Sequence, residues 1–226
     1  MSHQNNVKQP PYPVERIAAL YSDSFQEHGT SLASLGYSKG TQEARFAAAF
    51  RIGPLENTRI LDVGCGFGHM IEFMRNRRID ACYTGIDIAQ PMIDTARQRY
   101  PDGDFRLLNI LDSPIDERWD WVFLVGAFNA TPGQEGWWEY VQQMMRRMYD
   151  LCTRGLAADF LSSYVDFQKP GAFHASPEQV FSFAKTLTRR VSLCHDYMAY
   201  EFMVYLYKDQ SLTANNVFNG FQSTGS

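Results

Sequence analysis

Residues 59–70 read RILDVGCGFGHM. An apolar run of strand character breaks into glycines at alternate positions, Gly64, Gly66 and Gly68, and resumes with helical spacing. A strand that turns into a helix in this way commits the chain to a β-α unit. The glycines remove side chains where backbone must lie close to a ligand or a neighbouring element. Strand-like runs at 83–86, 105–108, 121–125 and 156–161 follow, separated by helix-like stretches that include 70–77, 91–100 and 137–151. In the last of these Trp137, Val141, Met144, Met148 and Leu151 share one face. The alternation predicts an α/β fold with a parallel sheet covered by helices on both faces. Two further runs, 191–197 and 201–207, are joined by a short turn and predict an antiparallel hairpin at the sheet edge.

Ahead of the first strand, Val14, Ile17, Leu20, Tyr21 and Phe25 recur at helical spacing, and a second helical pattern surrounds 43–50. This segment, 14–57, reads as a helical cap on a core at 58–210, the two forming a single domain of ordinary size for 226 residues. Residues 1–13 and 211–226 offer little apolar surface and are expected to be disordered tails.

Composition excludes several classes of function. At 45% hydrophobic and 20% charged residues, the chain has the make-up of a soluble globular protein, without the run of about 18 apolar residues that a membrane span needs. The first residues lack the apolar core of a signal peptide. A net charge of −4 and a pI near 5.7 argue against a nucleic-acid partner. Cys65, Cys82, Cys152 and Cys194 are scattered without zinc spacing, which predicts reduced thiols, a cytoplasmic location and no metal. No sequence signal sets the oligomeric state.

The glycines are spaced G-x-G-x-G, one residue tighter at the end than the dinucleotide fingerprint G-x-G-x-x-G. Twenty-odd residues on, Thr84-Gly85-Ile86-Asp87-Ile88 ends a strand in a carboxylate placed to accept from both hydroxyls of a ribose. Asp87 also suits a helix N-cap ahead of Pro91.

Together these elements resemble the class I S-adenosylmethionine-dependent methyltransferases, over about residues 59–161, with flanks similar to a bacterial small-methyltransferase subgroup. The resemblance implies a Rossmann-like seven-stranded, mostly parallel sheet, with S-adenosyl-L-methionine as cofactor and S-adenosyl-L-homocysteine as product. It places Asp62, Gly64, Cys65, Gly66 and Gly68 around the amino-acid part of the cofactor, and Asp87 and Ile88 at its ribose. Asn109 and Ile110 fall in the adenine motif, where Asp is more usual than Asn; an amide oxygen still accepts from an adenine amine. Gly126 ends the fourth motif, beside the methionine portion and the acceptor. The flanks further make Tyr21, Tyr37 and Arg45 of the cap candidates for contacting the cofactor carboxylate or shielding the sulfonium, with a surface salt bridge as the alternative for Arg45.

Methyl transfer needs an aligned acceptor, excluded water and, for some acceptors, a proton acceptor. The segments following 121–125 and 156–161 are expected to form the acceptor side, with Asn129 and Tyr164 as candidate catalytic residues. Asn129 is followed by Ala130, Thr131 and Pro132 and so departs from the Asn-Pro-Pro-Tyr pattern of some amino-methylating enzymes. His174, in a loop past 156–161, is the candidate general base because histidine titrates near neutral pH. Packing against the helix near Pro177 is its structural alternative. His195 beside Asp196 reads as a structural contact, and no carboxylate cluster points to a divalent metal. The sequence therefore points to a metal-independent transferase acting on an oxygen or nitrogen of a small molecule. A macromolecular acceptor and a non-catalytic cofactor-binding module are the alternatives, with a nicotinamide-dependent dehydrogenase more distant.

Overall fold

The computed structural model describes residues 14–36, 41–131, 133 and 135–209. Strands β1 (Arg59–Val63), β2 (Cys82–Asp87), β3 (Asp104–Leu107), β4 (Trp119–Leu124) and β5 (Cys152–Ser162) pair in parallel in the order β3-β2-β1-β4-β5. The hairpin of β7 (Val191–Met198) and β8 (Glu201–Tyr207) closes the sheet with β8 antiparallel to β5 and β7 at the edge. A two-residue strand, β6 (His174–Ala175), pairs with the end of β5. The seven-strand path predicted from the alternation is present, with β6 as an eighth strand too short to show a pattern.

Successive side chains of a strand point to opposite faces, and the two faces have separate cores. Leu61, Val122, Leu124, Leu156, Ala158 and Phe160 pack against helices α1 (Val14–His28), α5 (Trp137–Leu151) and α6 (Pro177–Leu187). Ile60, Trp121, Phe123 and Ala157 face α2 (Thr41–Ala49), α3 (His69–Asn76) and α4 (Gln90–Arg99). Each fully buried side chain of this size contributes about 1.5–3 kcal/mol. Asp62 and Asp159 occupy the same parity as Ile60 and Ala157. Both are buried, at 3% and 0% exposure, on the α2/α3/α4 face.

The strand after α5 begins at Cys152, not at 156, because α5 runs into β5 without a loop. Polar Thr153 and Arg154 disguise this start. Their side chains reach Asp120 on neighbouring β4, at 3.1 Å each. Gly155 lies where the backbones press together: a Cβ there would stand 2.6 Å from the Leu206 carbonyl oxygen on β8.

From β1 the chain moves outward to β2 and β3, then returns to lay β4 on the other side of β1. The chain leaves β1 for α3 on one face of the sheet and leaves β4 for α5 on the other. An open α/β sheet presents its ligand crevice at this switch point.

Candidate active site

The loop after β1 is shaped by what it must touch. Gly64 has φ of 75°, in the left-handed region, and a Cβ on it would lie 2.9 Å from Cβ of Ala127 in the loop after β4. The loop amides are turned inward. Gly64 and Cys65 both donate to the Ile86 carbonyl, at 2.8 and 3.0 Å, and Gly68 donates to the Cys65 carbonyl at 3.0 Å. Gly66 donates to Asp87 Oδ2 at 3.0 Å. A glycine loop that cradles a pyrophosphate directs its amides at the ligand. This loop has spent three of them on β2 and a fourth on itself.

Above the loop lies a cavity of about 910 Å³, its open mouth included. Ile17 and Tyr21 of α1, Leu35, and Gln42 and Phe46 of α2 cover it; Tyr140 and Met144 of α5 and Phe128 form the far wall. Among its lining residues Asp62 and Asp87 are the carboxylates, and none is Lys, Arg or His. Burial pushes the Asp62 carboxyl up to about 7, against the opposing bond from Tyr83 Oη at 2.8 Å. Burial also raises Asp87, while the amides of Ala89, at 2.9 Å, and Gly66 favour its ionised form. Tyr21 and Tyr140 are lifted by burial and by the negative field of Asp87, so both keep their protons at neutral pH. Two carboxylates in a desolvated, otherwise uncharged pocket favour a ligand carrying positive charge and disfavour a phosphate.

The methyltransferase-domain family matches residues 60–155. A Mycobacterium tuberculosis protein that bears the name of a methyltransferase is 29% identical over 154 residues, 66% of this chain and 92% of that one. The chain carries a methyltransferase domain over residues 60–155. The fold agrees: the magnesium protoporphyrin IX methyltransferase of Synechocystis PCC 6803, solved with bound S-adenosylhomocysteine, superposes with a TM-score of 0.61. That likeness covers 87% of this chain and 94% of that one at 15% identity. The trans-aconitate 2-methyltransferase of Afipia carboxidovorans is 28% identical over 165 residues, 71% of this chain and 61% of that enzyme. The lining residues fit S-adenosylmethionine, the cofactor expected from the sequence. The inward-turned loop and the acidic lining suit a sulfonium and an ammonium, and the apolar cleft of Ile88, Met92 and Ile110 suits a flat base.

Most of the cofactor residues expected of this methyltransferase from sequence meet at the cavity: Asp62, Gly64, Cys65, Gly66, Asp87, Ile88, Asn109, Ile110 and Gly126 all line it. Gly68 does not. It caps the start of α3 at φ of 77°, where a Cβ would strike the ring of Phe105. Asn109 keeps its place with its amide already engaged, Oδ1 accepting from the Leu111 amide at 3.1 Å and Nδ2 donating to Asp112.

The catalytic candidates lie elsewhere. The His174 ring is fixed in β6: Nε2 accepts from the Lys169 amide at 3.1 Å, which leaves Nδ1 to donate to the Ser162 carbonyl at 3.0 Å. Both nitrogens are thus engaged with backbone groups, and the ring has no place in the cavity lining. Tyr164 is 62% exposed and donates its hydroxyl to Glu178. Asn129 stands one residue beyond the lining, with Oδ1 accepting from the Leu161 amide at 2.8 Å. Among aromatic side chains of the segments expected to form the acceptor side and of the hairpin, Phe128 lines the cavity, while Phe167 is 74% exposed and Tyr200 bonds Asp166 at 2.5 Å. Tyr21 is in the cavity and Tyr37 falls outside the described residues. Arg45 is neither at the cofactor nor on the surface. It is 6% exposed and gripped by Glu201, with Nε 2.6 Å from Oε2. Asp196 bonds Arg51, at 2.8 Å, and Cys194 rather than exposed His195.

Gln42, Phe46, Ile17, Tyr140 and Met144 line the cavity without having been singled out from sequence. Helical spacing marks several of them as apolar-face residues, and only the docking of α1, α2 and α5 over the crevice separates cavity wall from core. Asp159 was also missed, although a lone carboxylate inside Leu156-Ala157-Ala158-Asp159-Phe160-Leu161 is itself a signal that a partner must be buried with it.

Proposed function

We propose that this methyltransferase moves a methyl group from S-adenosylmethionine to an oxygen or nitrogen atom of a small-molecule acceptor, without a metal. The observation that carries the reading is the roof of the cavity. Ile17, Tyr21, Leu35 and Phe46 line the cavity together with the glycine loop, and a site walled in by apolar side chains suits a compact acceptor. The names of the relatives support it, since porphyrin and trans-aconitate are both small molecules.

In this reading Asp87 holds the ribose, Asn109 and Ile110 border the adenine, and Gly64 and Gly126 border the methionine portion. The cofactor supplies an electrophilic methyl group on a cationic sulfur. The chain's own part is to bind, to align the acceptor lone pair and to exclude water, which by orientation alone can supply about 7–11 kcal/mol. Tyr21 and Tyr140 act as donors to a polar acceptor atom, because their protons are held too tightly for either to serve as a base.

The test is transfer of labelled methyl from S-adenosylmethionine into a cell extract separated by size, with Asp87→Ala as control. Enzyme-dependent label in the low-mass fraction supports the reading. Label confined to macromolecules overturns the acceptor class, and cofactor binding with no label in either fraction overturns catalysis.

A further inference from the structure

Behind the cavity, on the α2/α3/α4 face, three buried charged side chains and the hydroxyl of half-buried Tyr197 meet where an apolar core would be expected. Asp159 lies at the centre of β5 with no exposure. Its Oδ1 accepts from the Gly126 amide at 2.5 Å, and its Oδ2 has no hydrogen-bond partner but stands 3.6 Å from Arg45 Nε. Glu201 of β8 takes the Arg45 guanidinium with both its oxygens. The hydroxyl of Tyr197, on β7, is buried beside these charges without a hydrogen-bond partner. Removing such a group from water costs several kcal/mol unless its partners are well placed.

The two groups that Asp159 touches both belong to walls of the cavity. Gly126 begins the segment Gly126-Ala127-Phe128 that lines it, and its φ of 83° makes the direction of its peptide sensitive to what holds it. No ladder partner is available there, because the pairing of β4 with β5 ends at Leu124 and Ala158. Arg45 belongs to α2, and Gln42 and Phe46, on either side of it in sequence, reach into the cavity from that helix. The carboxylate thus ties the loop after β4 to the helix that covers the cofactor.

We propose that Asp159 is a positioning residue for methyl transfer, holding the Gly126 peptide in the direction that receives the cofactor. The proposal rests on the cavity being the S-adenosylmethionine site. Asp159 touches neither cofactor nor acceptor, so its effect passes through Gly126. Only the hydrogen bond to that amide, not the net charge of the cluster, is required. In the ionised state Asp159 and Glu201 share one guanidinium; burial and the charge of Glu201 push the Asp159 carboxyl up to about 7, and a protonated Asp159 still accepts from Gly126.

The test compares three variants in the full-length protein, each checked for folding by circular dichroism, using calorimetric binding of S-adenosylmethionine and S-adenosylhomocysteine. Asp159→Leu, of similar size and without an acceptor, is expected to weaken both at least tenfold. Asp159→Asn keeps an oxygen for the Gly126 amide and is expected to stay within threefold of the parent. Glu201→Gln disturbs Arg45 but not Gly126, and is expected to lower the melting temperature while leaving affinity within threefold. A folded Asp159→Leu with parental affinity, or an Asp159→Asn as weak as Asp159→Leu, overturns the assignment. If Asp159→Leu fails to fold, the Gly126 amide of the parent decides by NMR. A downfield proton protected from hydrogen exchange supports the bond, and a Gly126 amide that exchanges as fast as an exposed one overturns it. A parent that binds neither compound removes the cofactor reading itself.

Discussion

Asp87, the last residue of β2, accepts a hydrogen bond from the amide of Gly66 at 3.0 Å, so a single carboxylate fixes the glycine loop from the neighbouring strand. Its other oxygen accepts from Ala89 at 2.9 Å at the entrance to α4. Lone pairs remain on both oxygens, and the side chain lines the cavity. One residue therefore shapes the loop and faces the ligand.

Asp87→Ala is accordingly expected to weaken S-adenosylmethionine binding by about 2 kcal/mol, the scale of a lost charge-assisted hydrogen bond. Asp87→Asn keeps one acceptor and should lose less. Isothermal calorimetry is the measurement, and binding unchanged in Asp87→Ala would remove the residue from the site.

Affinity for S-adenosylmethionine is expected to rise with pH. The Asp62 carboxyl, raised to about 7 in the unliganded protein, is half protonated near neutrality, and a cationic ligand in the cavity favours its ionised form. Binding below pH 7 then releases a proton, and affinity strengthens as pH climbs from 6 to 8. S-adenosylhomocysteine, which lacks the sulfonium charge, should show a shallower dependence. The unliganded protein behaves in the opposite sense. Between the unfolded value of 3.8 and the folded value near 7 the native state binds more protons at Asp62, so this group's contribution to stability falls as pH rises through that window. Calorimetry in buffers of different ionisation enthalpy counts the released proton, and a count of zero at pH 6.5 contradicts the linkage.

The order of elements and much of the lining of the cavity were legible in the sequence because both depend on local rules. Strand, glycine turn and helix follow from residues within a dozen positions of one another, and Asp87 follows from the length of one β-α-β unit. The catalytic candidates depended on long-range packing. A loop assignment for His174 assumed free ring nitrogens, but β6 forms where the chain folds back onto the end of β5 and captures both. Arg45 was read as an exposed cap residue. Its burial is set by Glu201, 156 positions away, which no local pattern reports.

His174→Ala is expected to cost stability rather than turnover. Two backbone groups, the Lys169 amide and the Ser162 carbonyl, lose a partner at roughly 1 kcal/mol each, or about 4–8 °C in melting temperature for a domain of this size. Turnover should stay within about twofold at temperatures where the variant is folded. A collapse of turnover with an unchanged melting temperature would restore His174 as a base.

Gly64→Ala tests the close approach of the loops after β1 and β4. The positive φ alone costs about 1–3 kcal/mol, and the added Cβ would meet Ala127 at 2.9 Å. The expected outcome is a lower melting temperature together with a loss of cofactor affinity greater than tenfold, since the two loops border the same pocket. Ala127→Gly in the same chain relieves the contact but not the backbone strain, so it should recover part of the affinity. A double variant no better than Gly64→Ala would assign the whole effect to φ.

Tyr21 separates donation from proton removal. Burial, then the charges of Asp87 and Asp159, lift its hydroxyl far above neutrality, so the group enters the cavity as an O–H donor. Tyr21→Phe removes that donor and keeps the ring that packs against Phe67, Ala89 and Met92. Binding of S-adenosylmethionine should change by less than about twofold, while kcat/KM for the acceptor should fall about tenfold, the scale of one lost hydrogen bond to a polar atom. The pH profile of kcat between 6 and 9 should keep its shape. A profile that loses an ionisation in Tyr21→Phe would mean that the hydroxyl gives up its proton during turnover, and would make Tyr21 the base that neither His174 nor Tyr164 is placed to be.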